Sequence, residues 1–343
     1  MAYTTINKST DHFNTVLYAG NSSTQAITGV GFAPDWVWLK ERTQASDHCL
    51  FDAVRGANKD INSNDTSAEA TSSNKLTAFG SDGFTLGNSN TTNQSGQNNV
   101  SWNWKAGGGQ GSANTDGSIN TTYTSANTTA GFSISKYTGT GANATIGHGL
   151  GVAPNVIITK QLTGSTQWNF QNSMVGYSQY MALSDNAASQ ATGGALISSA
   201  SNTTYSCNGN SAINAGGGST YVAYCFAEKT GYSKFGSYTG NGNVNGTFVY
   251  TGFKPAFVIT KKSSGADEWN INDTTRNPFN PLDKNLLANT SAAESDFDRF
   301  DALSNGFKMR TDSGQYNGSG ATYIYMAFGQ SLVGSNNVPC TAR

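Results

Sequence analysis

Charge is what this sequence holds least of. Only 12% of its 343 residues are charged, and 20 basic against 21 acidic side chains leave a formal net charge of −1. No Lys/Arg cluster occurs, which excludes the electrostatic footprint of a nucleic-acid binder. Low charge would fit disorder, but disorder comes with few aromatics, and here aromatics make up 11%. No apolar run approaches the roughly 18 residues a bilayer span requires, so no membrane insertion is expected. The start, M-A-Y-T-T-I-N-K-S-T, has no apolar leader region, so no secretory signal is read. Three histidines, His12, His48 and His148, are too few and too scattered for a metal centre, and no metal or cofactor is expected. The four cysteines, Cys49, Cys207, Cys225 and Cys340, show no paired spacing. Cys207 and Cys225 lie in one repeat and could bridge, but a chain made in a reducing compartment favours free buried thiols. No heptad run and no collagen-like tract occurs, so the chain has no trimerising stalk.

What the chain does hold is repetition. G-F-A-P-D-W-V-W-L-K (Gly31 to Lys40) returns as G-V-A-P-N-V-I-I-T-K (Gly151 to Lys160) and as G-F-K-P-A-F-V-I-T-K (Gly252 to Lys261). Eight residues after the lysine stand His48, Trp168 and Trp269; twelve after it stand Asp52, Asn172 and Asp273. The copies close on V-S-W-N-W-K-A, Y-V-A-Y-C-F-A and Y-I-Y-M-A-F-G, and S-D-G-F-T-L (Ser81 to Leu86) matches S-N-G-F-K-M (Ser304 to Met309). Repetition at this scale decides architecture before any local reading. It gives repeat one at 1–110, a Gly/Asn/Ser/Thr linker at 111–130, repeat two at 131–230, repeat three at 231–331 and a tail at 332–343. The run Gly107 to Gly117 reads as a flexible joint.

The local signals are those of strands. Short apolar runs rich in Val, Ile, Phe, Tyr and Trp are bounded by Gly, Asn, Ser and Thr clusters, and no long segment shows a capped 3.6-residue period. In W-V-W-L both alternating faces are apolar, as in a strand covered on both sides. The pattern predicts an all-β protein of three tandem antiparallel β-sandwich (jelly-roll-like) domains.

W-N-W-K-A-G-G-G, N-T-D-G-S-I-N, G-H-G-L-G-V-A-P-N-V-I-I-T-K, Y-V-A-Y-C-F-A-E-K-T-G-Y-S-K-F-G-S-Y-T-G-N-G and A-T-Y-I-Y-M-A-F-G-Q resemble a domain family of marine bacteriophage virion proteins, from about residue 12 to 330. The resemblance implies a jelly-roll-like structural or tail-fibre-type protein and brings no catalytic residues with it.

Several residues invite a sharper reading. E-S-D-F-D-R-F-D sets Glu294, Asp296 and Asp298 at alternating positions, which on a strand share one face. Paired carboxyls of this kind serve retaining glycosidases, and the same acids could hold calcium. Copy one has a polar loop there, so a solvated acidic loop is the favoured reading. Trp36, Trp38, Trp102, Trp104, Trp168 and Trp269 could stack sugars, but repeated positions in strands favour core packing, with Trp168 and Trp269 each buried in its own repeat. Any glycan contact is sought instead at the loop tyrosines Tyr177, Tyr205 and Tyr316. Asp52–Arg55 and Asp273–Arg276 read as ion pairs pinning a loop, and Lys40, Lys160 and Lys261 as strand-end caps with buried stems.

A polar, uncharged surface without a leader fits a particle assembled in a host cytoplasm and released by lysis. The expectation is a non-enzymatic virion protein on the particle exterior (tail fibre, appendage or capsid decoration) that attaches to host-surface glycans. Its partners would be other virion proteins (capsid, tail or itself, as a homo-oligomer). A purely structural cement protein is the first alternative, and a polysaccharide-degrading enzyme the second.

Overall fold

The repeated phrase forms a strand buried on both faces, and that fact organises the molecule. The computed structural model describes residues 4–191 and 196–330, apart from the side chains of Ala191 and Asp298. Cys340 and the 332–343 tail lie outside the described residues. The first repeat runs β1 (Phe13–Ala19), β2 (Gln25–Ile27), β3 (Trp36–Glu41), β4 (Cys49–Asp52), β5 (Lys59–Asp60), β6 (Ala70–Thr71), β7 (Leu76–Gly80), β8 (Gly83–Leu86) and β9 (Asn98–Trp104). The second runs β10 (Tyr123–Asn127), β11 (Phe132–Thr138), β12 (Ala144–Gly147), β13 (Val156–Gln161), β14 (Asn169–Asn172), β15 (Gln179–Ala182), β16 (Gln190–Ala191), β17 (Ile197–Ala200), β18 (Thr204–Cys207) and β19 (Thr220–Phe226). The third runs β20 (Ser233–Thr239), β21 (Phe248–Tyr250), β22 (Lys254–Lys262), β23 (Asn270–Asp273), β24 (Leu282–Leu287), β25 (Ser295–Leu303), β26 (Gly306–Met309) and β27 (Thr322–Gln330). Among the described residues the α-helices are two of four residues each, Asn90–Asn93 and Ser211–Asn214. The all-β expectation holds.

One strand order recurs. In repeat one β1-β9-β3-β4 form one sheet and β2-β8-β7 a second. In repeat two the orders are β11-β19-β13-β14, widened by β10 and by β15-β16, and β12-β18-β17. In repeat three β20-β27-β22-β23 and β25-β26-β21 are joined through β24 into one eight-stranded sheet. The ladders are antiparallel, with Trp36 opposite Trp104, Val156 opposite Phe226 and Phe257 opposite Phe328.

Period-two alternation sends the two faces of each central strand to different cores. Val37 and Leu39 pack inside repeat one, Ile157 inside repeat two and Val258 inside repeat three. The opposite faces, Trp36 and Trp38, Val156 and Ile158, Phe257 and Ile259, all enter one cluster shared by the three repeats. Trp36 stacks on Tyr224 at 4.6 Å and Trp104 meets Phe257 at 5.5 Å, so the repeats pack ring against ring. The void left at their meeting point is about 10 Å³, no more than a single water needs. Each repeat therefore keeps an inner core of its own, and the three share a fourth cluster between them.

The glycine run expected as a flexible joint is tied down. Asp35 accepts hydrogen bonds from the backbone N–H of Ala106, Gly108 and Gly109 at 2.7, 3.0 and 2.5 Å. Further along, Ile119 N donates to Thr145 O, and β10 joins the sheet of repeat two.

Candidate functional site

The residues that repetition singled out build the contacts between repeats. His48, Trp168 and Trp269 all donate a ring N–H to the backbone of a neighbouring repeat. Trp168 Nε1 donates to Asn62 O at 2.7 Å and Trp269 Nε1 to Ala182 O at 2.9 Å. His48 Nδ1 accepts from Trp38 Nε1 at 2.8 Å. Indole nitrogen only donates, so His48 carries its proton on Nε2, which reaches Leu287 O at 2.9 Å. The three acceptors are one position of the frame, because Ile61, Met181 and Leu286 before them oppose Leu50, Phe170 and Ile271. Trp168 and Trp269 are buried as expected, but each reaches across to another repeat and not only into its own.

The lysines do the same. Lys40 Nζ donates to Glu41 O at 2.7 Å and to Ser291 O at 3.3 Å. Lys160 Nζ reaches Gln161 O at 3.0 Å and Thr66 O at 3.2 Å. Lys261 Nζ reaches Lys262 O at 2.7 Å and Asn186 O at 3.3 Å. Not only the stems but the ammonium groups are buried, and desolvation pushes each pKa down to about 8. Repeat two leans on one, one on three and three on two, so the contacts close a ring.

The Asp–Arg pairs are part of this interface. Arg55 Nε donates to Asp52 Oδ2 at 2.5 Å, and Tyr224 of repeat two donates to the same oxygen at 2.7 Å. Arg276 Nε donates to Asp273 Oδ2 at 2.5 Å, and Trp102 of repeat one adds 3.0 Å. In the third instance the frame has Asn172 in place of the aspartate, Val175 in place of the arginine, and Met326 where Trp102 and Tyr224 stand. Charge and its donor are lost together.

Glu294 belongs to the same network. It accepts two hydrogen bonds from Arg42 of repeat one, at 3.0 and 2.6 Å, and one from Arg276 at 2.9 Å. Asp296 pairs with Lys284 at 2.7 Å, and the side chain of Asp298 lies outside the described residues. Among the described residues no group of three His, Cys, Asp or Glu is arranged to hold a metal ion. Cys49, Cys207 and Cys225 are free and buried; burial raises the Cys207 thiol to about 11 and that of Cys225 to about 12, so both stay protonated near neutral pH.

The loop tyrosines do not form a sugar-stacking platform. Tyr205 and Tyr316 are 0% exposed, and Tyr316 donates to Asn272 Oδ1 at 3.1 Å beneath the sheet. Tyr177 is half-buried with its hydroxyl on Pro154 O at 2.6 Å.

The aromatics left open to a ligand lie elsewhere, on the outward side of repeat three. Phe248 and Tyr250, 44% and 61% exposed, flank the inward Val249 on β21. Phe248 stands opposite Lys308, which stands opposite Asp301, and Asp301 pairs with Arg310 at 2.5 Å. A side chain at Gly306 would meet Val249 O at 2.1 Å, so glycine keeps this rim flat beside the Phe248 ring. Next to the row, the register of β24 on β25 shifts between Leu282 and Lys284, and the extra residues bulge at Phe297 to Arg299. The bulge turns Phe297 out to 62% exposure over a concavity of about 470 Å³ lined by Val244, Arg299, Arg310, Ser313 and Gln315. The acid run thus matters for its Phe and Arg. The signal for β21 was legible as F-V-Y alternation; the bulge leaves no sequence trace.

Comparison with known proteins gives a family and no function. The family model described as a domain of unknown function (DUF7483) matches residues 8–331, so the chain belongs to that family. No curated protein and no solved structure matches.

Proposed function

We propose that this member of the DUF7483 family is a non-enzymatic structural protein on the exterior of a bacteriophage particle, as tail fibre, appendage or capsid decoration. In this reading its three repeats are jelly-roll-like β-sandwiches clamped into one body, and its outward aromatic face attaches the particle to host-surface glycans. The observation that carries the reading is the exposure of Phe248, Tyr250 and Phe297 on the sheet of repeat three, in a chain whose other large aromatics are mostly spent on packing. Aromatic faces beside hydroxyl and amide groups suit sugar rings. Many copies on one particle would turn weak contacts into firm attachment. The resemblance to marine phage virion proteins supports the setting. The engagement of Glu294 by two arginines speaks against a free catalytic carboxylate there.

The test is adsorption. Phe248→Ala with Tyr250→Ala should leave the melting temperature unchanged and reduce binding of the protein to host cells, with free surface polysaccharide competing. Cryo-electron microscopy of the particle separates the alternatives. In the attachment reading the face of β21 points to solvent; in the cement reading it is covered by a capsid neighbour.

A further inference from the structure

Arg299 lies under this face with its charge unanswered. It is 7% exposed, its Nε is buried without an acceptor, and among the described residues no carboxylate pairs with it. Its guanidinium carbon lies over two rings, 4.8 Å from the centroid of Phe297 and 5.0 Å from that of Tyr316. Ring faces hold a cation and fix its plane, but they take none of its N–H groups. The protein's own repeats show how such a cation is otherwise neutralised. Leu76 opposite Leu86 corresponds to Phe300 opposite Met309, so Lys75 stands where Arg299 stands. Lys75 is paired with Asp60. Asp60 precedes Ile61, which bridges Leu50, as Asn285 precedes Leu286, which pairs with Ile271. Repeat one therefore has cation and acid; repeat three keeps the cation and has an asparagine for the acid. Repeat two has neither, with Leu196 and Tyr180 at the two positions. Arg310, the other cation of the concavity, is already matched by Asp301.

A buried cation without a counter-charge is costly unless an anion arrives from outside. We infer that the concavity binds an acidic saccharide, with a sugar carboxylate on the guanidinium edge of Arg299 and the sugar ring against Phe297. A guanidinium beside two rings keeps its N–H fork for a carboxylate, which it can meet in two-point geometry. The inference rests on the glycan-attachment reading and narrows it to uronic-acid-type polymers.

The experiment is calorimetric titration of the full chain with four probes: an oligogalacturonate, a sulfated galactan oligomer, a neutral galactan oligomer and inorganic phosphate. The oligogalacturonate should bind at least about tenfold more tightly than the neutral oligomer, the discrimination expected from one charge-assisted contact. Phe297→Ala should lose that binding while melting as the wild type does. Asn285→Asp restores the acid of repeat one at the cost of the hydrogen bond from Asn285 Nδ2 to Asn270 Oδ1, and it should fold and no longer bind. Arg299→Gln should also lose binding. An Asn285→Asp protein that binds the oligogalacturonate as the wild type does would overturn the inference. So would equal binding of the neutral oligomer, which removes the charge but leaves the glycan reading standing. Tighter binding of the sulfated oligomer refutes the carboxylate, and phosphate binding as tightly as the oligomer refutes the sugar. Failure of every probe refutes the site, while attachment itself is judged separately by cell adsorption of the Phe248 and Tyr250 variant.

Discussion

The indole N–H of Trp168 ends on the carbonyl of Asn62, 2.7 Å away in the preceding repeat. Trp269 and Ala182 repeat the relation, and His48 with Leu287 completes it. A position that reads as ordinary core is therefore the point where each repeat is fastened to the next. Trp269→Ala should cost about 3–5 kcal/mol, the usual range for a buried tryptophan. Because the ring belongs to the shared core, the loss should lower one transition of the entire chain, followed by circular dichroism on heating. A separate early melting step for repeat three would contradict this.

His48 gives the interface an acid sensitivity. Burial, with the charges of Lys40 and Arg276, lowers its pKa well below 6.5, so it is neutral when folded and takes up a proton when unfolded. Its contribution is present above about pH 6.5 and is lost progressively as pH falls below that value. Repeats two and three place Ile158 with Trp168 and Ile259 with Trp269 where repeat one has Trp38 with His48. The double variant Trp38→Ile, His48→Trp should fold and lose part of the decline in melting temperature between pH 6.5 and 5. His48→Trp alone should be less stable, because it leaves Trp38 Nε1 without its acceptor and overfills the site.

Lys160→Met keeps the stem and removes the donor from Gln161 O and Thr66 O. Leaving the buried Gln161 carbonyl without this donor costs roughly 1–3 kcal/mol. Chemical denaturation of the full chain should show a lower midpoint with the slope unchanged.

Glu294→Gln should destabilise, since it takes the countercharge from Arg42 and from the fully buried Arg276. Arg276 keeps its pair with Asp273, so the cost should be that of weakened charge-assisted hydrogen bonds, roughly 1–3 kcal/mol. A variant with wild-type stability that had lost a glycan-cleaving activity would restore the enzymatic reading.

The fold was largely legible because periods are legible. Alternation in W-V-W-L and V-I-I-T announced strands covered on both sides, and the fixed Gly, Pro and Lys spacing announced one frame used three times. What covers the second face was not legible: nothing in Trp36 or Phe257 says that their partners belong to other repeats, since burial by a neighbour and burial within a unit leave the same apolar residue. For that reason Lys40, Lys160 and Lys261 read as strand-end caps with buried stems only, and the burial of their ammonium groups is a correction. At the candidate site the tyrosines failed because Tyr205 and Tyr316 lie among polar residues in sequence yet fold under the sheet. Phe297 and Arg299 were hidden inside an acidic run whose bulge depends on the register of β24 against β25.

Differential scanning calorimetry of the full chain beside a 231–331 fragment tests the shared core most directly. The chain should melt in a single transition whose van't Hoff and calorimetric enthalpies agree. The fragment would expose Phe257, Ile259, Trp269 and Phe328 together and should show no cooperative transition as a monomer. Three resolved transitions, or a monomeric fragment that melts like the intact protein, would contradict it.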